Sequence, residues 1–326
     1  MTRPYKPIDL TRITTYSIKN RRHKASIADL ASLPPAGATA ADLLAAFPDT
    51  LGAAAFRSVV DSIVQAVHAD RPVVAAFGAH VIKVGCGPIV IDLIRRGVIR
   101  AIACNGACAI HDVELACTGE TSEEVAVSIR DGTFGMVAQT LAFFDKATER
   151  AKHESIGLGA AVGSVLMETD APHLDRSVFV AARKASIPAC VHVALGTDTV
   201  HVSGDADAAA LGVASMHDFR LICDVVSDLG AKGDSDVGGV WLNIGSAVLL
   251  PEVFLKAVAV ARNLGANLDQ MTTANFDMIR QYRPNQNVVT RPVREGRGHE
   301  VIGHHEILLP LLRQAVIEKL DATNRR

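Results

Sequence analysis

The sequence predicts a doubly wound α/β fold, a mostly parallel sheet with helices on both faces. Three observations carry that prediction. Short apolar runs ending in glycine or asparagine alternate with amphipathic segments four or five times along the chain. Hydrophobic residues make up 49% of the 326 residues and aromatics only 4%, so the core is built from Ala, Val, Ile and Leu, which suits helices packed closely on a sheet buried on both faces. No internal repeat and no linker rich in Pro, Gly or Ser divides the chain. The expected organisation is therefore an arm over residues 1–35 and one α/β domain over residues 36–326.

The arm reads as an extended stretch and a short helix ending at Pro34-Pro35, either frayed or wrapped on a neighbouring subunit. Ala40–Phe47 and Leu51–His68 read as helices, the second with Val59, Ile63, Val64 and Val67 on one stripe. Pro72–Phe77 is the first strand, Gly85–Gly97 a helix with Ile89, Leu93 and Ile94 on one side, and Val98–Cys104 the second strand. Asn105-Gly106 breaks that strand, and a helix is expected over Ile110–Cys117. Thr121–Glu124 (TSEE) has the capping-box spacing, ahead of a longer helix over Gly135–His153. Then follow a helix at Ser177–Ser186, a strand at Pro188–Val193, and a long helix from Asp207 to Gly230. A strand at Gly239–Ile244, a helix at Pro251–Leu264, a strand at Leu268–Thr273 and a closing helix at Glu306–Leu320 complete the pattern.

Charge and composition exclude several function classes. With 33 basic and 35 acidic residues the net charge is -2, which gives no footing for nucleic-acid or membrane-surface binding. Residues 1–26 carry charges throughout and no apolar stretch of the kind a secretory signal needs. The apolar run Ile156 to Met167 is too short to span a bilayer. Six cysteines are too sparse for a disulfide scaffold, so Cys86, Cys104, Cys108, Cys117, Cys190 and Cys223 read as reduced thiols of a cytoplasmic protein.

In a doubly wound sheet, ligands bind beyond the carboxyl ends of the strands. That rule picks out five segments, Gly78–Gly87, Asn105–Glu114, Gly196–Asp205, Gly245–Ala247 and Thr272–Asp277, of which three carry the candidate chemistry. The first, Gly78 to Gly87 (GAHVIKVGCG), includes His80 and Lys83; its glycines suit a phosphate or simply a tight turn, but it is not G-x-G-x-x-G. Lys83 reads as nucleophile, phosphate contact or surface residue. The second, Asn105 to Glu114, places His111 beside Asp112, either a general acid–base pair or a helix cap next to an interior imidazole. The third, Gly196 to His201, offers Asp198 as a hydroxyl-binding or turn residue, bracketed by His192 and His201. His80, His111, His192 and His201 form an alternative metal set, although no H-x-x-x-H or C-x-x-C spacing supports one and no metal is expected. His304-His305 reads as solvent or interface.

Taken together, "GAHVIKVG", "NGACAIHDVE", "SVFVAARKASIPA", "HVALGTD", the helix around "MHDFRLICDVVSDL", "GGVWLNIGSAVLLPEVFLKAVAVARNLGA" and "TTANFD" resemble the deoxyhypusine synthase family over residues 70–320. The resemblance implies a Rossmann-like fold, a homotetramer, NAD as cofactor, and a transferase that moves the aminobutyl group of spermidine through an enzyme lysine imine. Carried over residue by residue, it implies a cofactor site with Asp198, Gly245, Ser246, Thr273, Ala274 and Asp277, to which the strand-end turns add Gly78, Asn105 and Gly106. His111, Asp112 and His80 are the catalytic candidates, and His192, His201, Arg283 and Arg291 the substrate candidates.

Two departures stand out. Where the family has paired glutamates, this chain has Ile110 and His111. Where it has Arg-Pro-Asp-Glu and then the catalytic lysine, this chain reads Arg283-Pro284-Asn285-Gln286, and no lysine lies between Lys256 and Lys319. Imine chemistry needs a primary amine, which arginine cannot supply. Arg280, Arg283, Arg291, Arg294 and Arg297 instead suggest an anionic small-molecule substrate, a charged loop, or contacts to acids of a neighbouring subunit. The expectation is a deoxyhypusine synthase-like, NAD-binding oligomer with altered chemistry. A metal-dependent hydrolase or lyase and a non-catalytic nucleotide-binding oligomer are the alternatives.

Overall fold

The structure is a computed structural model of the chain, and it describes residues 3–233 and 235–324. Six strands, β1 (Val73–Phe77), β2 (Ala101–Asn105), β3 (Ala189–His192), β4 (Val240–Ile244), β5 (Thr272–Asp277) and β6 (Gly298–Ile302), form one sheet in the order β3-β2-β1-β4-β5-β6. Every pairing is parallel. The chain starts in the middle, winds outward to β3, and returns across β1 to build β4 to β6. That reversal makes the crevice between the ends of β1 and β4 the topological switch point.

The helices are α1 (Ala40–Ala46), α2 (Leu51–His68), α3 (His80–Lys83), α4 (Gly87–Arg95), α5 (Gly106–Thr118), α6 (Val125–Asp131) and α7 (Ala138–Glu154). They continue with α8 (Leu158–Met167), α9 (Val178–Lys184), α10 (Ala208–Ser227), α11 (Leu249–Asn263), α12 (Tyr282–Pro284) and α13 (His305–Asn324). Alternate strand residues sort onto two faces. Val73, Ala75, Phe77, Ile102, Cys104, Val191, Leu242, Ile244 and Phe276 belong to a core with α2, α4, α5, α8, α9 and α13. Val74, Ala76, Ala101, Ala103, Cys190 and Trp241 belong to a second core with α10 and α11, where Trp241 stacks on Phe254 at 4.3 Å. Both faces are covered, which is why the strands read as continuous apolar runs rather than alternating ones. Residues 3–33 make three single 3-10 turns, and none of them is buried. Among the described residues no helix is long and apolar enough to cross a membrane.

The structure corrects several element boundaries. The fifth strand is Thr272–Asp277 rather than Leu268–Thr273, because Leu268–Met271 closes a turn through Met271 N–H to Leu268 O at 3.1 Å. The strand ends at Asn105 as expected, but the helix begins at Gly106 rather than Ile110: Asn105 caps α5 directly, and its Oδ1 accepts from Cys108 N–H at 3.1 Å. The TSEE capping box does not form, since α6 starts only at Val125 and the Thr121 hydroxyl is engaged elsewhere. The glycine-bearing run before Met167 is the buried helix α8. Gly159 there lies so close to β3 that a Cβ would sit 2.1 Å from Ala189 O.

Candidate functional site

At the switch point the turns after β1 and β4 touch through their backbones. Gly78 N–H donates to Ile244 O at 2.9 Å, and a Cβ on Gly78 would lie 2.2 Å from Gly245 O. Gly245 has φ +61, and a Cβ there would lie 2.7 Å from Cε1 of His305. These glycines are therefore needed to let β1, β4 and α13 close on one another. His305 is fully buried, unlike the exposed His304, so the expectation of a solvent or interface pair fails for it. Its Nε2 donates to Phe276 O at 3.2 Å, and its Nδ1 has no partner. Burial holds the ring's pKa below the usual histidine value, against the pull of that carbonyl and of Asp277, so Nδ1 is left as an acceptor. His80 stands edge-on to this ring at 5.6 Å.

The N-terminus of α5 already holds an anion. Asp198 sits against Gly106, where a Cβ would come 2.0 Å from Asp198 Oδ2, and it accepts from Ala107 N–H. A carboxylate in that place satisfies free helix N–H groups and suits the helix dipole. Burial nonetheless pushes the Asp198 carboxyl upward, opposed by His201 at 3.9 Å. The His201 Nδ1 accepts from Gly196 and Asp198 N–H at 3.1 and 3.2 Å, so its Nε2 carries the proton that faces Asp198.

His111 and Asp112 point to different partners. Asp112 is buried on the α9 side, where Ser177 Oγ donates to it at 2.5 Å and Val178 N–H at 2.8 Å. Burial raises its pKa to about 6 despite those bonds. It anchors the start of α9, so the pair is not a unit. His111 Nδ1 lies 2.7 Å from Thr121 Oγ1, which donates to Glu114 Oε2 at 2.5 Å, while Thr140 Oγ1 donates to Glu114 Oε1 at 3.1 Å. Beside this cluster a groove of about 870 Å³ runs between α5, the 118–123 loop and α7, with Lys83, Val137 and Phe143 also on its walls. Burial lowers the His111 pKa, with Glu114 opposing and Lys83 adding to the shift.

Several buried polar atoms lack partners: His192 Nε2 at the end of β3, Asp277 Oδ2 at the end of β5, and, inside the strands, Asn243 Oδ1, Asn275 Nδ2 and Glu300 Oε1. Burial brings the His192 pKa down to about 4, so its ring is neutral. Asn243, Asn275 and Glu300 are register neighbours across β4, β5 and β6 and form one polar row. Asn243 Nδ2 donates to Asn275 Oδ1 at 2.7 Å and to Ser246 O at 3.0 Å, while Ser246 Oγ accepts from Leu250 N–H at the start of α11. Of the β5 candidates only Asp277 reaches the edge. Thr273 and Ala274 lie inside the strand with no exposed surface, and Thr273 Oγ1 donates to Val288 O.

The arginine segment is engaged by its own chain, three of its arginines by acids and two by neutral groups. Arg283 pairs with Glu252 at 3.5 Å, and Arg291 donates to Asn287 Oδ1 at 3.0 Å, whose amide donates to Glu252. Arg280 pairs with Glu300, Arg294 with Asp269, and Arg297 donates to Gln270 O. His80, His111, His192 and His201 do not converge: among the described residues no group of three or more His, Cys, Asp or Glu side chains is arranged to hold a metal ion. Sequence reasoning missed Thr121, Glu114, Thr140, His305 and the Asn243–Asn275–Glu300 row. The one available signal was that Asn243, Asn275 and Glu300 are polar residues inside short strands.

No family model and no curated protein matches the chain. Among solved structures it is similar to AgrE in its ternary complex with ornithine and NAD+, at 14% identity and a TM-score of 0.51, over 82% of this chain and 33% of that one. It is also similar to a protein assigned as a deoxyhypusine synthase from Entamoeba histolytica, at 12% identity and a TM-score of 0.50, over 88% of this chain and 94% of that one. The arginine dihydrolase ArgZ of the cyanobacterial ornithine–ammonia cycle matches at 15% identity and a TM-score of 0.48, over 81% of this chain and 31% of that one. The chain thus spans about a third of the length of ArgZ and AgrE. At these identities the likeness establishes the fold: Rossmann-like, and shared with a deoxyhypusine synthase-type protein and with a protein solved with NAD+.

Proposed function

We propose that the chain binds a nicotinamide dinucleotide of the NAD type along the carboxyl edge beside the β1–β4 switch point, and acts there on a small substrate with His111 as the acid–base group. The observation that carries this reading is the set of buried, unpartnered polar atoms beyond the strand ends: Asp277 Oδ2 of β5, His192 Nε2 of β3, and His305 Nδ1 against the turn after β4. A buried polar atom without a partner costs about 1–3 kcal/mol, so a set of them marks a place where hydrogen bonds come from something else.

The residues present fit such a cofactor in character. Asp277, the last residue of β5, offers a free carboxylate oxygen to a ribose hydroxyl. Gly85, with φ +80 and open space around it, gives backbone access in the turn after α3. The slot at the start of α5 is taken by Asp198, so Asn105, Gly106 and Asp198 act as one wall of the crevice rather than as a phosphate cradle. NAD bound there supplies a hydride acceptor. What the chain itself supplies is a largely water-free floor made by Gly78, Gly245 and His305, and a neutral imidazole, His111, beside α3.

Transfer of an aminobutyl group to a lysine does not belong to this reading, because the segment between Lys256 and Lys319 offers no primary amine. We place the activity among transferases or oxidoreductases of the fold, in a cytoplasmic homo-oligomer. Isothermal titration of the full chain with NAD and with spermidine tests the proposal. Saturable NAD binding without aminobutyl transfer is expected; no NAD binding, or spermidine turnover, overturns it.

A further inference from the structure

We infer that Thr121 and Glu114 are positioning residues that fix His111 in the Nδ1–H tautomer, leaving its Nε2 lone pair open to solvent as the base toward a small-molecule substrate, next to the groove between α5 and α7 that Thr121 and Glu114 line. The inference rests on the reading of His111 as the acid–base group and names what sets its state.

The argument is one of proton counting. A threonine hydroxyl has a single proton. At Thr121 that proton goes to Glu114, since a carboxylate oxygen accepts and Oγ1 lies 2.5 Å from Oε2. The hydroxyl oxygen can then only accept from the other neighbour at hydrogen-bond distance, His111 Nδ1 at 2.7 Å, so Nδ1 carries the ring proton. Glu114 is itself held from its other side by Thr140 Oγ1 of α7. The relay is therefore tied at both ends, to α5 and to α7.

The far nitrogen is free. His111 Nε2 makes no hydrogen bond among the described residues, yet it is not among the buried unpartnered atoms, so it keeps contact with solvent. The ionisable groups acting on the ring are Glu114 from its own helix and Lys83 from α3, and burial favours the neutral ring. Lys83 has no ion-pair partner among the described residues and lines the same groove. The groove's volume, about 870 Å³, lies in the range that small-molecule sites occupy. The class of ligand that fits beside Nε2 is a small molecule with a transferable O–H or N–H proton, whose anionic group, if it carries one, is met by the nearby Lys83 charge. On proton transfer Nε2 gains the proton, and the imidazolium charge is met by Glu114 through Thr121, with no net redox change.

The test is long-range ¹H–¹⁵N correlation NMR on the histidine-labelled full chain at pH 8, with His111 assigned through His111→Gln. The wild type is expected to show the Nδ1–H pattern, Thr121→Val to revert to Nε2–H, which the free ring prefers, and Thr121→Ser to retain Nδ1–H. A wild-type Nε2–H pattern, or an Nδ1–H pattern that survives Thr121→Val, overturns the inference. If Thr121→Val does not fold, the wild-type spectrum alone decides. No cofactor is needed for this readout, so a failure to bind NAD overturns the function proposed above and leaves this assignment standing.

Discussion

Replacing Gly245 by alanine probes the closure of the switch point most sharply. The backbone at Gly245 has φ +61, which costs a non-glycine residue about 1–2 kcal/mol. The new Cβ would lie 2.7 Å from Cε1 and 3.2 Å from Nε2 of His305, a ring with no exposed surface and no room to retreat. Overpacking of that kind costs about 1–3 kcal/mol. Pushing the ring away also breaks its bond to Phe276 O, worth about 0.5–1.5 kcal/mol. The total is about 2.5–6.5 kcal/mol, which at about 2.1 cal/mol/K per residue over 326 residues lowers Tm by roughly 4–9 °C. Gly265→Ala is the matched control. Its φ is +95, but nothing lies within 4 Å of the added Cβ, so only the backbone cost of about 1–2 kcal/mol applies, or roughly 1.5–3 °C. Differential scanning calorimetry reads both. If Gly245→Ala melts no lower than Gly265→Ala, the packing of His305 against the β4 turn is not as described.

Other outcomes follow from the same structure. The folded-state pKa of His192, about 4, lies below the unfolded value near 6.5, so its contribution to stability is present above pH 6.5 and lost as pH falls toward 4, at about 1.4 kcal/mol per unit. His192→Gln should therefore lose about 2 kcal/mol less than the wild type between pH 7 and pH 5 in urea unfolding. Asp112 and Asp218, whose raised values act in the opposite direction, are common to both chains and cancel in that difference. Gly159→Ala drives a Cβ to 2.1 Å from Ala189 O, a backbone atom that cannot yield, and should cost at least about 2 kcal/mol in the same assay. Arg283→Ala and Arg291→Ala should change NAD affinity less than about twofold by titration, because both guanidinium groups are already engaged by Glu252 and Asn287.

The sheet was legible in the sequence because a strand buried on both faces cannot hide its apolar run, and Val73–Phe77, Ala101–Asn105 and Val240–Ile244 are such runs. β6 was not legible. It lies at the edge, its GHEVI is mostly half-buried, and its Glu300 belongs to a polar row that only register creates. The Leu268–Thr273 reading failed because a buried turn and a buried strand start share one hydropathy. In the candidate site, Asp277 was placed at a strand end by its position, whereas Thr273 lost that place once the strand shifted by four residues. His111 and Asp112, adjacent in sequence, separate because neighbours on a helix point about 100° apart. Thr121 pairs with residues seven and ten positions earlier, across a loop, and no local pattern announces such a contact. The arginine count left an anion site and a charged loop open together, because composition shows cations without the Glu252, Asp269 and Glu300 carboxylates that meet three of them.

The most direct test of the central claim is a crystal structure of the full chain soaked with NAD. Density for the dinucleotide along the ends of β1, β4 and β5, with a hydrogen bond to Asp277 Oδ2, is the predicted result. Density confined to another surface, or none at saturating NAD in crystals that diffract well, would contradict it.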